Sequence, residues 1–331
     1  MLTNENVTIP SLKDLTDDNI TENTIIVNNQ TSDPRLKYIF NRLVTHLHDF
    51  ARETRLSTDE WMSAIMFLTQ CGQICSSTRQ EFILLSDVLG LSCLVDVMNH
   101  PKPPNATNGT VLGPFHTQDA HEFKIGDSIC SSGKGETCLV RCTVRDTSGI
   151  PIEGVSVDIW ETDDTGHYDT QYDDRTGPDC RGILKSNKNG KIWFKAIRPV
   201  PYPIPHDGPV GKLLDKLGRH PYRPSHMHFM FHKPGYDALV TSLYLKGDPY
   251  ETTDAVFGVK SSLICELQKV SNSNITSEYG VDIDDWLLDY DFVLVSDQEA
   301  KKLKIQNAEK ALNNLGLNPI MVNGLPVASL D

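Results

Sequence analysis

The chain has 331 residues, 39% hydrophobic and 23% charged, which is enough apolar material for one large domain or two ordinary ones. Its formal net charge of −13 leaves no basic excess to neutralise nucleic-acid phosphates or to dock on an anionic membrane surface. No window reaches the ~18 consecutive apolar residues of a membrane span, so an acidic enzyme for a small neutral substrate is the undemanding reading.

The N-terminal stretch MLTNENVTIPSLKDL has neither the basic segment nor the apolar segment of a secretory signal. A cytoplasmic location is therefore expected, with the eight cysteines reduced and unpaired. Residues 1–32 are polar, rich in Thr and Asn and without periodicity, and are expected to form an arm. At Asp33-Pro34 a helix begins, with Asp as N-cap and Pro at the first helical position. Leu36, Ile39, Phe40, Leu43, Val44 and Leu47 then recur at helical spacing. Ser57-x-x-Glu60 reads as a capping box for a second helix, and Thr78-x-x-Glu81 as one for a third, leading into the run FILLSDVLGLSCLVDVMN. Residues 33–110 are thus expected to be a helical domain whose apolar surface suggests a homodimer interface.

At residues 101–115, PKPPNATNGTVLGPF, the clustered Pro, Asn and Gly mark a loop. Beyond it the hydrophobic period changes from helical to two. Residues 139–145, 155–160, 191–197, 226–232, 240–245 and 292–296 read as short strands. They are separated by turns at 146–149, 187–190 and 233–235. Many short strands with such punctuation predict an α+β chain whose residues 111–331 are a mainly antiparallel β-sandwich. A closing helix is predicted from Ser296-x-x-Glu299 to about Asn313.

Within this pattern RPSHMHF, residues 223–229, stands out. On a strand His226 and His228 project from one face, while Met227 and Phe229 point into the core. A His-x-His pair is a natural two-ligand clip for a transition metal, although on spacing alone a non-metal role is the commoner reading. His232 lies further along the same face and is not expected to be a ligand. No glutamate follows before Glu251, which disfavours a two-histidine, one-carboxylate ferrous centre. Tyr168 and Tyr202 are candidate partners, because hard phenolate oxygens suit a trivalent ion and would offset its charge. Each tyrosine alone reads as well as a packing residue.

The segments LGPF (112–115), DIWETDDTGHYD (158–169), PYPIPHDGPVG (201–211) and GRHPYRPSHMHF (218–229) together resemble the intradiol ring-cleavage dioxygenases. The resemblance spans roughly residues 35–300. It implies a non-haem Fe(III) held by Tyr168, Tyr202, His226 and His228, a catalytic Arg223, and Tyr202 as a proton acceptor. It implies a substrate pocket formed by Leu84, Asp87, Val111, Gly113, Pro114, Phe115, Ile204, Pro205 and Arg223. GHYDTQY and the run from PYPIPHDG to SHMHFM look most like the subgroup that opens hydroxyquinol (benzene-1,2,4-triol) with O2. Catechol or chlorocatechol is the alternative substrate. Where catechol-cleaving relatives often carry a glutamine, this chain reads Val240-Thr-Ser242. The reading from a different class is a metal-free sandwich acting as a binding module.

Overall fold

The computed structural model describes residues 12–76 and 79–329, so the predicted capping role of Thr78 lies outside the described residues. Contacts divide the chain into two compact units. One runs up to Leu68 and resumes at Ala308; the other is Thr69–Asn307.

The first unit holds α1 (Ile20–Asn28), α2 (Pro34–Thr54) and most of α3 (Thr58–Ile74). Asp33 caps α2 as its sequence predicts, accepting from the N–H groups of Arg35 at 2.8 Å and Leu36 at 3.0 Å. Ser57 and Glu60 form the reciprocal capping box of α3. Helix α1 departs from the expected arm. Its own periodicity is weak, and it is fastened instead from α2. Arg52 donates to the Asp17 carbonyl and the Thr21 hydroxyl, and His48 Nδ1 lies 2.9 Å from Thr21 Oγ1.

In the second unit the run expected as one helix is two, α4 (Glu81–Val88) and α5 (Leu91–Asn99). The break is at Gly90, whose φ of +76° is left-handed and suited to glycine. There follow β1 (Thr137–Asp146), β2 (Ser156–Trp160), β3 (Arg181–Lys185), β4 (Lys191–Ile197), β5 (Tyr202–Pro203), α6 (Pro209–Lys216), β6 (Tyr222–Arg223), β7 (His226–His232), β8 (Leu239–Leu245), β9 (Ile264–Cys265), β10 (Gln268–Lys269), α7 (Ser273–Tyr279) and β11 (Trp286–Leu294). The last of these starts six residues before the predicted strand, and β3 was not anticipated. Helix α8 (Asp297–Asn314) opens on Ser296 as expected, with Glu299 N–H donating to Ser296 Oγ. A hairpin of β12 (Pro319–Val322) and β13 (Leu325–Ala328) turns on Asn323-Gly324, both at positive φ.

Two sheets form the sandwich, a four-stranded one in the order β10-β11-β1-β4 and a five-stranded one in the order β3-β2-β7-β8-β9. Pairing is mainly antiparallel; β1 with β11 and β8 with β9 are parallel. Period-two alternation sends Val140, Val144, Phe194, Leu288 and Phe292 of one sheet, and Ile159, Leu184, Met227, Phe229 and Phe231 of the other, into one shared core. The alternate residues of β2, β7 and β8 must then emerge on the outer face of the five-stranded sheet.

Candidate active site

That outer face assembles the chemistry. Register places Trp160 beside His228, His228 beside Ser242, and His226 beside Tyr244. The short pair β5–β6 sets Tyr202 opposite Arg223. Tyr168 arrives from the loop after β2, at the head of a single helical turn (Asp169–Gln171), with its N–H held by Gln171 Oε1 at 2.9 Å. Next to it the buried Asp169 carboxylate takes the Arg181 guanidinium, with Arg181 Nε 2.9 Å from Oδ1. Arg181 Nη1 also donates to the Phe115 carbonyl at 3.0 Å. The Phe115 ring stacks on Tyr168 with centroids 4.5 Å apart. One salt bridge thus fixes both the Tyr168 backbone and the ring that covers it. The PYPIPHDGPVG loop closes tightly for a steric reason. A Cβ on Gly211 would fall 2.0 Å from the His206 carbonyl oxygen, so only glycine fits there.

These elements bring together the four residues that the family resemblance implied. Tyr168 Oη lies 3.0 Å from Tyr202 Oη, Tyr202 Oη 3.4 Å from His226 Nε2, and His226 Nε2 3.0 Å from His228 Nε2. His226 Nδ1–H donates to the Pro224 carbonyl at 2.7 Å, which leaves the Nε2 lone pair facing inward. His228 Nδ1 lies 2.8 Å from Ser242 Oγ, and its ring stacks flat on Trp160 with an interplanar angle of 4°. All four side chains are buried. Burial, and then the charge of Arg223, pull His226 far below its ordinary pKa; burial, His226 and Arg223 do the same to His228. Both imidazoles are therefore neutral. Burial pushes both tyrosine hydroxyls up.

This arrangement has a physical consequence. The His226 Nε2 lone pair faces His228 Nε2 at 3.0 Å, beside two phenols that burial keeps from ionising. A cation among them would be bound by the imidazole lone pairs and would allow the phenols to ionise. Donor separations of 3.0–3.4 Å match the edges of a coordination shell with bonds of about 2.0–2.1 Å. Among the described residues no three His, Cys, Asp or Glu side chains cluster to hold a metal. The two histidines gain further donors only through the tyrosines, and the set fits a hard trivalent ion.

Arg223 is buried, with Nη1 2.8 Å from His226 Nε2. A cavity of about 420 Å³ is lined by Leu84, Pro114, Phe115, Ile204 and Pro205 among others. Gly113 comes within 3.8 Å of His228, measured from where a Cβ would stand. Asp87 and Val111 are buried but do not line this cavity. Sequence reasoning missed Arg79, Glu81, His206 and Asp207 at its rim. The Arg79 guanidinium bridges Glu81 and Asp207, and Glu81 Oε1 accepts the Val210 N–H at the start of α6. His206 and Asp207 stand inside the second tyrosine's motif PYPIPHDGPVG, which was the available signal for them.

Known proteins are similar to this chain over most of its length. Residues 33–107 match the family model of the catechol dioxygenase N terminus, and residues 113–296 match that of the dioxygenase domain. An intradiol ring-cleavage dioxygenase of Aspergillus niger is 63% identical over 325 residues, 98% of each chain. The chain belongs to the intradiol ring-cleavage dioxygenases. A hydroxyquinol 1,2-dioxygenase of a Rhizobium species is 47% identical over 265 residues, 79% of this chain and 90% of that one. The crystal structure of hydroxyquinol 1,2-dioxygenase from Pseudomonas putida superposes with a TM-score of 0.77 at 40% identity. It covers 85% of this chain and 99% of its own. The intradiol dioxygenase family uses non-haem iron.

Proposed function

We propose that this intradiol dioxygenase opens the ring of hydroxyquinol with O2, using iron(III) held by Tyr168, Tyr202, His226 and His228. The observation that carries the reading is the convergence of two phenol oxygens and two imidazole nitrogens, each 3.0–3.4 Å from the next. The names of the Rhizobium and Pseudomonas relatives favour hydroxyquinol over catechol. When bound, the iron supplies a Lewis-acidic, redox-active centre at which an adjacent ring diol becomes open to O2.

The chain's own residues do the rest. Tyr202 Oη is the acceptor for a substrate hydroxyl proton, since it lies in the donor set and beside the Arg223 nitrogen. Arg223 stays protonated and holds developing negative charge on the ring and its oxygens. Leu84, Phe115, Ile204 and Pro205 clamp the ring's faces and edges and keep water from it. Gly113 leaves room above His228. Pro114 completes the wall, and Val111 is buried outside it. Asp87 is buried one turn along α4 from Leu84, outside the lining of the cavity, and is the acceptor proposed for the third hydroxyl of the triol once the ring is seated against Leu84. Asp87→Ala is expected to erase the preference for hydroxyquinol over catechol, and an unchanged preference would remove that role.

The active chain is a cytoplasmic homodimer through its N-terminal helices. Leu36, Ile39, Phe40, Leu43, Leu47 and Phe50 of α2 form an apolar stripe, each between 42% and 56% exposed. Eight unpaired cysteines fit a reducing compartment.

The test pairs O2 uptake with the visible spectrum of the purified, iron-loaded protein. Faster uptake with hydroxyquinol than with catechol, and a broad band lost on Tyr168→Phe or Tyr202→Phe, is the expected result. Preference for catechol would overturn the substrate. A colourless iron-loaded protein would overturn the tyrosine ligands.

A further inference from the structure

Arg223 is a fully enclosed cation, and its surroundings are built to aim it. A guanidinium offers five N–H donors in a rigid fork. Here Nε donates to Asp254 Oδ1 at 3.2 Å, and Nη2 donates to Tyr244 Oη at 3.1 Å and to Asp254 Oδ2 at 3.4 Å. Nη1 faces the donor cluster, 2.8 Å from His226 Nε2. Asp254 has its own restraints. Its Oδ1 accepts the Val256 N–H at 3.3 Å, and its Oδ2 accepts the Gly258 N–H at 2.9 Å. The Gly258 carbonyl in turn accepts from Thr110 Oγ1 at 2.7 Å. A Cβ on Gly258 would lie 2.6 Å from Tyr244 Oη and 3.0 Å from Arg223 Nη2, so glycine is what lets this loop close over the guanidinium.

We infer that Asp254 is a positioning residue: with Tyr244 it occupies Nε and Nη2 of Arg223 and so holds Nη1 at the donor cluster. This rests on the proposed role of Arg223 in ring cleavage. Asp254 does two things at once. Its charge offsets a guanidinium that burial would otherwise make costly. Its two oxygens fix the plane of the fork, as a carboxylate does when both oxygens are engaged. When a metal engages the His226 lone pair, the Nη1 hydrogens are left for an oxygen of the bound diol. Without Asp254 the fork can rotate and Nη1 leaves that line.

The experiment compares the wild type with Asp254→Asn, Arg223→Gln and the double variant, all iron-loaded and assayed well below their unfolding temperatures. Removing one aimed donor costs about 10²-fold in kcat. Asp254→Asn is therefore expected to lose about that factor, with KM changed less than about threefold. In the Arg223→Gln background the same substitution is expected to cost nothing further, because residues acting through one another are not additive. An equal loss in both backgrounds would overturn the inference, as would a fall in thermal stability with kcat unchanged. Asp254 also borders a second cavity, of about 640 Å³. Tyr244→Phe is the milder probe, removing only the hydroxyl that holds Nη2. It is expected to lower kcat by about three- to tenfold with KM intact, and an unchanged kcat would exclude Tyr244 from the clamp.

A crystal structure of Asp254→Asn reads the positional claim without turnover. Nη1 displaced from His226 supports it; Nη1 still within hydrogen-bond distance overturns it. If the wild type opens no ring diol at all, the proposed function fails while the crystal structure still decides where Asp254 holds the fork.

Discussion

Replacing Asp169 with alanine removes the counter-charge of a buried arginine. The Arg181 side chain is 2% exposed and that of Asp169 6%. The bridge is near the upper range for such pairs because both partners are out of water and geometrically matched. Breaking it leaves an uncompensated guanidinium, which costs about 3–5 kcal/mol. For a unit of this size each kcal/mol lowers Tm by about 2–4 °C, so a fall of roughly 6–20 °C is expected by scanning calorimetry. Arg175, which shares Asp169, keeps Asp119 at 2.8 Å and adds little to the loss. The local consequence should be specific. Asp169 follows Tyr168, and Arg181 also holds the Phe115 carbonyl, so the iron-loaded variant should show a weakened or shifted visible band. Changing both partners to apolar residues, Asp169→Leu with Arg181→Met, should recover much of the stability, since no charge is then left stranded. A fall of less than about 2 °C for the alanine variant, with an unaltered band, would refute the reasoning.

Glu161 gives the chain a pH dependence of unusual sign. Burial pushes its carboxyl up to about 8, above its ordinary 4.5, so between those values the folded chain holds a proton that the unfolded chain has lost. Stability from this group therefore falls as pH rises through that window, by at most about 1.4 kcal/mol per unit. Glu161→Gln should flatten the decline of Tm between pH 5 and 8, and identical slopes would rule the effect out. Ser242→Ala removes the hydroxyl beside His228 Nδ1 and is expected to weaken iron binding about 10- to 100-fold in a chelator competition; unchanged affinity would show that Trp160 alone holds that ring. Asp33→Ala frees two N–H groups at the start of α2 and should cost about 1 kcal/mol in denaturant unfolding, with no effect on ring cleavage.

Local signals carried a good part of the fold. The cap at Asp33, the box at Ser57 and Glu60 and the opening of α8 at Ser296 are interactions within three residues, so they form wherever the chain goes. Strands β4 and β7 lie where the alternation predicts them, because a half-buried strand must repeat every two residues. Other local signals went unread. Gly90 interrupts a helical run, and Asn323-Gly324 between apolar residues is a hairpin turn. Helix α1 carries no such signal, being held by Arg52 from another helix.

By itself the sequence determined that His226 and His228 share a face, since that follows from the geometry of any strand. It determined the family too, through motifs around Tyr168 and Tyr202, but the meeting of those tyrosines with the histidines belongs to the tertiary structure. Their hydroxyls come together across 34 residues, from the loop after β2 and from the short strand β5, over a sheet face whose inner side is filled by the core. The partners that make each group usable are equally remote in sequence: Ser242 for His228, Asp254 for Arg223, Arg181 for the turn after Tyr168. Helical and strand periods act within a few residues, whereas these contacts exist only once strand register is set, and register is decided by packing of the whole sandwich.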